Sequence, residues 1–222
     1  MKVVIVGGVA GGATAAARIR RLNEQAEIVV FERSGYISYA NCGLPYYIGG
    51  VIEDPEDLTL QTPESFFSRF RIHMKVHHEV TAIHPDSKTV SVKNLETGEI
   101  FEESYDKLLL SPGAKPVWPN LPGMNSDKLF TLRTVEDTFR IKEFVDQQRP
   151  KSAVMVGGGF IGLEVAENLR ELGMEVTIVQ RPKQLMNPFD ADMASFIHSE
   201  VRKHGVKLAL GYSVEGFAEK NN

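Results

Sequence analysis

Residues 2–12 read KVVIVGGVAGG, a short β-branched run that ends in a glycine-rich loop. Such a run is typical of a buried parallel strand, and the alanine-rich segment after it predicts a helix. Glycines let a backbone approach a pyrophosphate closely, and the unpaired amides at a helix start bind its charge. The stretch therefore predicts the phosphate loop of a dinucleotide-binding fold, although Val9 stands where the usual fingerprint has a glycine. The residues expected to hold this dinucleotide are Gly7, Gly8, Val9, Ala10, Gly11 and Gly12.

The next run, at 27–31, predicts a second strand. Glu32 at its end lies about twenty residues beyond the loop, where a carboxylate would hold a ribose hydroxyl. Strand, loop and carboxylate together predict an adenine dinucleotide site.

The same pattern returns in the second half of the chain. Residues 153–162 read AVMVGGGFIG, a complete GxGxxG after a strand and before a helix, with Gly173 expected to end that helix and a strand expected at 175–179. Two such folds predict two dinucleotides. The expected fold class is α/β with two Rossmann-like folds, the second incomplete in this chain, in three layers with a small antiparallel β-hairpin insertion. The expected residues of the second loop are Gly157, Gly158, Gly159, Phe160, Ile161 and Gly162.

The only cysteine of the chain, Cys42, lies in SYANCGLPYY at residues 38–47. It has no partner for an internal disulfide, and a free cysteine on its own is most often a small buried hydrophobic residue. The glycine, leucine and proline that follow it predict a short helix, whose positive end would favour the thiolate. Its position just after a nucleotide-binding unit makes it the candidate for chemistry.

Residues 38–47 resemble the redox-active segment of the coenzyme A-disulfide reductase branch of the FAD-dependent pyridine nucleotide-disulfide oxidoreductases. In that branch a serine stands four residues before a single catalytic cysteine. Relatives that reduce oxygen or peroxide share this spacing, whereas Ala40-Asn41 and Leu44-Pro45-Tyr46 resemble the coenzyme A branch. The resemblance implies that electrons pass from NAD(P)H through FAD to Cys42, the catalytic residue, which reduces coenzyme A disulfide.

Further cofactor residues follow from the resemblance. The turn Ser111-Pro112-Gly113-Ala114 resembles the crossing beneath the FAD pyrophosphate, Val80 resembles a backbone contact to adenine, and Glu164 matches a glutamate near the nicotinamide. Additional FAD residues are therefore expected at Arg33, Ser38, Asn41, Val80, Ser111, Gly113 and Ala114.

Thr14, Arg18 and Arg21 are spaced by four and three residues, which places them on one helix face. Such a face is usually only solvated, but these positions match the family's coenzyme A pocket, where cations would meet phosphates. The family more often has glutamine where this chain has Arg18. The expected substrate residues are Thr14, Arg18, Arg21, Ser38, Asn41 and Arg71.

Nucleotide preference is set where the second fold's second strand ends. Here the chain has Gln180-Arg181-Pro182-Lys183 instead of the acidic residue expected for NAD. No carboxylate repels a 2′-phosphate, and Arg181 and Lys183 could attract one. We therefore expect NADPH to be favoured over NADH, with use of both left open.

Composition excludes some classes of function. The 222 residues carry a formal net charge of −4 and no cluster of basic residues, so no nucleic-acid partner is expected. The N terminus shows no signal peptide, no apolar run is long enough for a membrane, and a single cysteine fits a reducing compartment, so a cytoplasmic location is expected. None of the six histidines has a ligand spacing such as HExxH, so no metal site is expected.

We expect an FAD-binding part at 1–115, a linker with a connecting helix at 116–150 and an NAD(P)-binding part at 151–222. Further helices are expected at 65–70, 135–148 and 190–203, and strands at 77–83, 88–93, 99–105, 106–110 and 206–210. The family's chains are longer, so the resemblance implies that the segment completing the FAD domain is absent here, as is the domain through which the full-length protein would form a homodimer.

Other functions stay open. The cysteine could cycle through sulfenic acid in an NADH oxidase or peroxidase, or through a persulfide in a persulfide reductase. A non-catalytic dinucleotide-binding module is a different class. The apoptosis-inducing-factor-like and ferredoxin reductases share the two nucleotide folds but lack this cysteine segment.

Overall fold

The computed structural model describes residues 1–219. The helices are α1 Ala10–Leu22, α2 Leu44–Gly49, α3 Pro63–Phe70, α4 Val135–Gln148, α5 Phe160–Glu171 and α6 Ala191–Lys203. The strands are β1 Lys2–Val6, β2 Glu27–Phe31, β3 Ile37–Tyr39, β4 Thr59–Gln61, β5 His73–Lys75, β6 His78–His84, β7 Thr89–Asn94, β8 Ile100–Ser104, β9 Lys107–Leu110, β10 Ser152–Val156, β11 Glu175–Gln180 and β12 Lys207–Leu210. Short 3-10 turns span Asn41–Gly43 and Pro55–Leu58.

The chain forms two units. The first comprises residues 1–40 and 59–114, and the second comprises residues 41–58 and the described residues from 115 onward. The assignment of 1–115 and 151–222 to particular dinucleotides stays a prediction, and residues 220–222 of the latter range lie outside the described part.

The first unit is built on a parallel sheet in the order β5-β2-β1-β9. Its two central strands are apolar on both faces because both faces are covered. Val3, Ile5 and Ile28 pack with helices α1 and α3 on one face, while Val4 and Val29 pack with the antiparallel sheet β6-β7-β8 on the other. This confirms the predicted three layers, and the insertion is a three-stranded sheet rather than a hairpin alone.

The second unit contains the parallel sheet β10-β11-β12, which repeats the strand, loop and helix of the first. Its core gathers fully buried Val176 and Ile178 with Ile48 of α2, Ile141 of α4 and Val165 of α5. As predicted, Gly173 follows α5 in the left-handed conformation, with φ +88°. Of the helices in the described residues, none is both long and apolar enough to cross a membrane.

Some local predictions differ from the structure. Helix α1 already begins at Ala10, so the last two glycines of the first loop form its first turn. The short pair β3 and β4 and the edge strand β5 are not predicted by the sequence. Three-residue strands depend on their neighbours, because so short a run shows neither periodicity nor a β-branched signature.

Candidate functional site

The first glycine loop needs its glycines for close packing. Gly7 has φ +97°, and a β-carbon on it would overlap the carbonyl oxygen of Ser111. A β-carbon on Gly12 would overlap the carbonyl oxygen of Gly7, which brings helix α1 tightly onto β1. The second loop has the same geometry, with φ +109° at Gly157 and Gly162 against its carbonyl oxygen. The chain thus contains two equivalent loops.

The helices that follow these loops begin without side-chain caps. Neither α1 nor α5 has a capping hydrogen bond from a side chain, as is also true of α2 and α6, whereas α3 and α4 are closed by capping boxes at Thr62 and Thr134. The first amides of a helix lack partners within it and carry partial positive charge. Uncapped starts behind glycine loops fit the pyrophosphate of a dinucleotide.

Glu32 and Gln180 occupy equivalent positions in the two folds. The buried carboxylate of Glu32 accepts hydrogen bonds from the amides of Gly8 at 2.7 Å and Ser34 at 2.9 Å. The amide of Gly158 donates to Oε1 of Gln180 at 3.0 Å in the same way. Both side chains therefore brace a glycine loop from the position where a ribose would be bound.

Other residues expected at FAD lie in the first unit. The amide of Ser38, in the left-handed conformation at φ +45°, donates to the carbonyl of Gly8 at 3.1 Å. Arg33 is exposed and lies 3.7 Å from Glu79. Val80 is half-buried in β6 and pairs with Val92 of β7.

The expected crossing at 111–114 lies against the first loop. The amide of Ser111 donates to Val6 at 2.8 Å, and a β-carbon on Gly11 would stand 2.8 Å from its Oγ. Gly113 has φ +71°, and Ala114 is exposed.

The predicted substrate face of α1 is exposed at Thr14, Arg18 and Arg21. Arg20 differs, because its guanidinium donates to the carbonyls of Phe70 at 2.8 Å and Arg71 at 2.9 Å. These bonds bring exposed Arg71 to the C-terminal end of α1. The backbone of Arg71 is thereby joined to the last turn of α1, which also carries Arg21.

Cys42 is exposed in the turn that precedes α2. The expected helix after it is confirmed, and it packs against α5 within the second unit. Gly49 of α2 touches the side chain of Asn168, whose Nδ2 donates to the carbonyl of Glu164 at 2.8 Å. The cysteine helix thus rests on the helix that begins at the second glycine loop.

The sequence assigns no role of their own to two residues near this cysteine, Arg133 and Tyr46. Arg133 donates from Nη1 to Oδ1 of Asn41 at 3.1 Å. Burial raises the pKa of Tyr46, and the charges of Glu164, Glu167 and Cys42 raise it further. Tyr46 therefore lies within electrostatic range of both the cysteine and Glu164.

The expected nucleotide-selecting cations, Arg181 and Lys183, are both exposed.

Residues 1–219 contain no group of three or more acidic, histidine or cysteine side chains placed to hold a metal ion.

Comparison with known proteins gives a consistent result. A family model described as pyridine nucleotide-disulphide oxidoreductase matches residues 1–222. A protein named coenzyme A disulfide reductase from Staphylococcus haemolyticus is 44% identical over 213 residues, which cover 96% of this chain and 48% of that protein. The chain therefore spans about half the length of this curated relative.

Two solved structures are also similar. The crystal structure of reduced Bacillus anthracis CoADR-RHD has a TM-score of 0.94 and 50% identity, and the match covers 97% of this chain and 39% of that one. The water-forming NADH oxidase from Lactobacillus brevis bound to NADH has a TM-score of 0.92 and 36% identity, over 99% and 48% of the two chains. The predicted resemblance and fold class are confirmed.

Proposed function

Because this chain belongs to the pyridine nucleotide-disulphide oxidoreductase family, we propose that it is part of a flavoprotein that uses NAD(P)H to reduce coenzyme A disulfide through Cys42. The observation that carries the proposal lies in the second unit. The helix that starts after exposed Cys42 packs on the helix that starts at the second glycine loop. Cysteine and nucleotide loop are thereby held by one pair of helices.

The residues present fit two dinucleotides. The loop at 7–12, with Glu32 and the crossing at Ser111, would hold FAD, and the loop at 157–162 would hold the nicotinamide nucleotide. The two cofactors would supply the transfer of two electrons to the cysteine disulfide. The chain supplies uncapped helix starts for the pyrophosphates and carboxylate or amide oxygens for the loops.

Cys42 performs the sulfur chemistry. Its thiolate attacks one sulfur of coenzyme A disulfide, forming a mixed disulfide and releasing one coenzyme A thiolate. Two electrons from NAD(P)H then break this disulfide, and with one proton they yield the second coenzyme A thiol and the Cys42 thiolate. Asn41, held by Arg133, positions the reacting groups.

The substrate's phosphates bind cations of the first unit. Thr14, Arg18, Arg21 and Arg71 are exposed and free to meet them, whereas Arg20 is committed to backbone carbonyls. The similarity to a protein named coenzyme A disulfide reductase supports this substrate.

NADPH is the preferred reductant in this proposal. Exposed Arg181 and Lys183 are suited to a 2′-phosphate, and Gln180 offers no negative charge. Glu164, whose charge acts on Tyr46, is the residue proposed to lie near the nicotinamide.

A second candidate is an NADH oxidase in which Cys42 cycles through sulfenic acid. The similarity to the Lactobacillus brevis enzyme favours it, and an exposed cysteine is accessible to small oxidants. In either case we expect the full-length protein to act as a cytoplasmic homodimer without a nucleic-acid or membrane partner.

The test is an anaerobic titration of the purified protein with NADPH and then NADH, with Cys42→Ser as control. We expect the flavin absorbance to bleach. We expect a long-wavelength thiolate-to-flavin band to appear as well, and this band should be absent from Cys42→Ser. Consumption of coenzyme A disulfide, measured as released thiol, then separates the disulfide reductase from the oxidase. If the wild type shows no thiolate-to-flavin band and Cys42→Ser behaves like the wild type, both candidates are contradicted.

A further inference from the structure

The segment between β11 and α6, residues 181–189, is here called the β11–α6 loop. It carries Arg181 and Lys183, the cations proposed to read the 2′-phosphate. Backbone bonds hold its first residues, because the amide of Gly211 donates to the carbonyls of Gln180 at 2.8 Å and Pro182 at 3.0 Å. The position of the cations depends on these bonds and on how the other end of the loop is held.

That other end is held against the second glycine loop. The amide of Met186 donates to the carbonyl of Gly158 at 2.8 Å. The fully buried side chain of Leu185 occupies the space beside Gly158, where a β-carbon would overlap its Cδ2. The loop thus covers the glycine whose amide Gln180 accepts.

A side chain from α6 makes a hydrogen bond with this end of the loop. The amide of Leu185 lies 3.0 Å from Nε2 of His198. An amide can only donate, so Nε2 is the acceptor and the neutral ring carries its proton on Nδ1. Burial lowers the pKa of His198 from 6.5, and the charge of Arg202 lowers it further, so the ring is neutral at pH 7.

In the first unit, the segment that packs beside the glycine loop is held in a different way. There Ile37 lies beside Gly8, and Ser38 shares with Met186 both the left-handed backbone and the bond to the glycine carbonyl. Ile37 belongs to strand β3, which pairs with β4. The described residues 181–189 form no strand. His198 therefore takes the place of strand pairing in the second unit.

We propose that His198 is a positioning residue for nucleotide selectivity, because its bond to Leu185 holds the β11–α6 loop where Arg181 and Lys183 can meet a 2′-phosphate. The proposal rests on the NADPH preference of the proposed function. His198 bonds to the backbone of Leu185 and not to Arg181 or Lys183, so in this proposal it acts through the loop.

Two substitutions separate this role from packing. His198→Leu leaves the Leu185 amide without its acceptor, and loss of such a bond should raise the Kd for NADPH about five-fold while the Kd for NADH changes little. His198→Gln retains a side-chain acceptor and should keep most of the preference. His204→Gln is the matched control, because His204 follows α6 and its ring bonds to Glu200 instead of the loop.

The experiment is calorimetric titration of the purified protein with NADPH and with NADH, comparing wild type, the three histidine variants and Arg181→Ala/Lys183→Ala. We expect the double variant and His198→Leu to lose preference, and His198→Gln and His204→Gln to retain it. If the double variant loses the preference for NADPH and folded His198→Leu keeps it, the role of His198 is overturned while the proposed role of the two cations stands. Equal binding of both nucleotides by the wild type overturns the NADPH preference as well.

A second measurement does not depend on nucleotide binding or on a variant that folds. Long-range proton–nitrogen NMR of the histidine rings reports the tautomer of each neutral imidazole. We expect the Nδ1-protonated form at His198. A proton on Nε2 would rule out the bond to Leu185 and with it the proposal.

Discussion

Gly49 of helix α2 lies against the side chain of Asn168 on helix α5, so closely that a β-carbon on Gly49 would overlap Oδ1 and stand 2.8 Å from Cβ. Asn168 is 3% exposed, and its own bond to the carbonyl of Glu164 keeps it from turning away. Since α2 begins just after Cys42, this contact sets the position of the cysteine relative to the second glycine loop.

Gly49→Ala should therefore force α2 away from α5. We expect the free energy of unfolding to fall by about 1–3 kcal/mol, as for overpacked cores, and the rate at which a thiol reagent modifies Cys42 to change. Urea unfolding and thiol-labelling kinetics measure the two effects. The double variant Gly49→Ala/Asn168→Ala removes Oδ1 and Cγ, the two atoms that overlap most, and should recover part of the loss. Equal instability of the single and double variants would contradict the steric account.

The sequence predicts the two nucleotide folds well because their signals are local. A β-branched run, glycines at fixed offsets and a helix follow one another within residues 2–22 and again within 152–171, and each is confirmed. Position 32 is predicted by its distance from the loop. Short-range rules thus place the loops and the two equivalent residues that brace them.

The sequence does not predict contacts that join distant segments. Arg133 reaches Asn41 across 92 positions, and Gly49 meets Asn168 across the packed helices. The sequence predicts His198 only as one position of an amphipathic helix, and its bond to the Leu185 amide is visible only in the folded structure. Such contacts depend on how helices pack, which periodicity alone does not determine.

Glu32 offers a test of the first loop. Glu32→Ala removes two charge-assisted acceptors and should lower the free energy of unfolding by about 2–4 kcal/mol, with weaker retention of flavin. Glu32→Gln should be milder, because Gln180 already accepts the amide of Gly158 in the equivalent position. Thermal unfolding and flavin absorbance of the purified variants measure both effects. A glutamine variant as damaged as the alanine variant would show that the negative charge itself is required.

The arginines of α1 should separate into structural and substrate-binding residues. Arg20→Ala removes bonds to two carbonyls of the α3 terminus and should cost about 1–3 kcal/mol of stability. Arg18→Ala and Arg21→Ala are matched controls on the same helix, and should leave stability within about 0.5 kcal/mol while raising KM for coenzyme A disulfide. Chemical denaturation and steady-state kinetics distinguish the two groups. Unchanged KM in both controls would remove these residues from the substrate site.

Gln180→Glu tests the proposed nucleotide preference. A carboxylate at this position would accept from the ribose and repel a 2′-phosphate. We expect the Kd for NADPH to rise about ten-fold or more and that for NADH to fall. Gln180→Ala removes the acceptor for Gly158 without adding charge, and so separates repulsion from loss of the brace. Tighter NADPH binding by Gln180→Glu would reverse the assignment.

Stability should depend on pH through His198. Because burial and Arg202 lower its pKa below 6.5 in the folded protein, the unfolded chain binds more protons as the pH falls below that value. The contribution of the neutral ring is present above pH 6.5 and is lost as the pH falls towards the folded pKa. Four other groups have shifted pKa values: those of Glu175 and Glu200 are lowered from 4.5, and those of Lys2 and Tyr46 are raised from 10.5 and 10.0. These groups therefore titrate outside the pH range in which His198 takes up its proton.

Urea unfolding at about pH 7.5 and about pH 5.5 measures this contribution. Wild type should lose more stability between the two conditions than His198→Gln, whose amide does not titrate. His204→Gln removes the histidine that follows α6 and leaves the bond between His198 and Leu185 in place, so the contribution of His198 should persist in this variant. An identical loss in wild type and His198→Gln would mean that the ring takes up its proton equally in the folded and unfolded chains, and that the Leu185 amide does not hold it neutral.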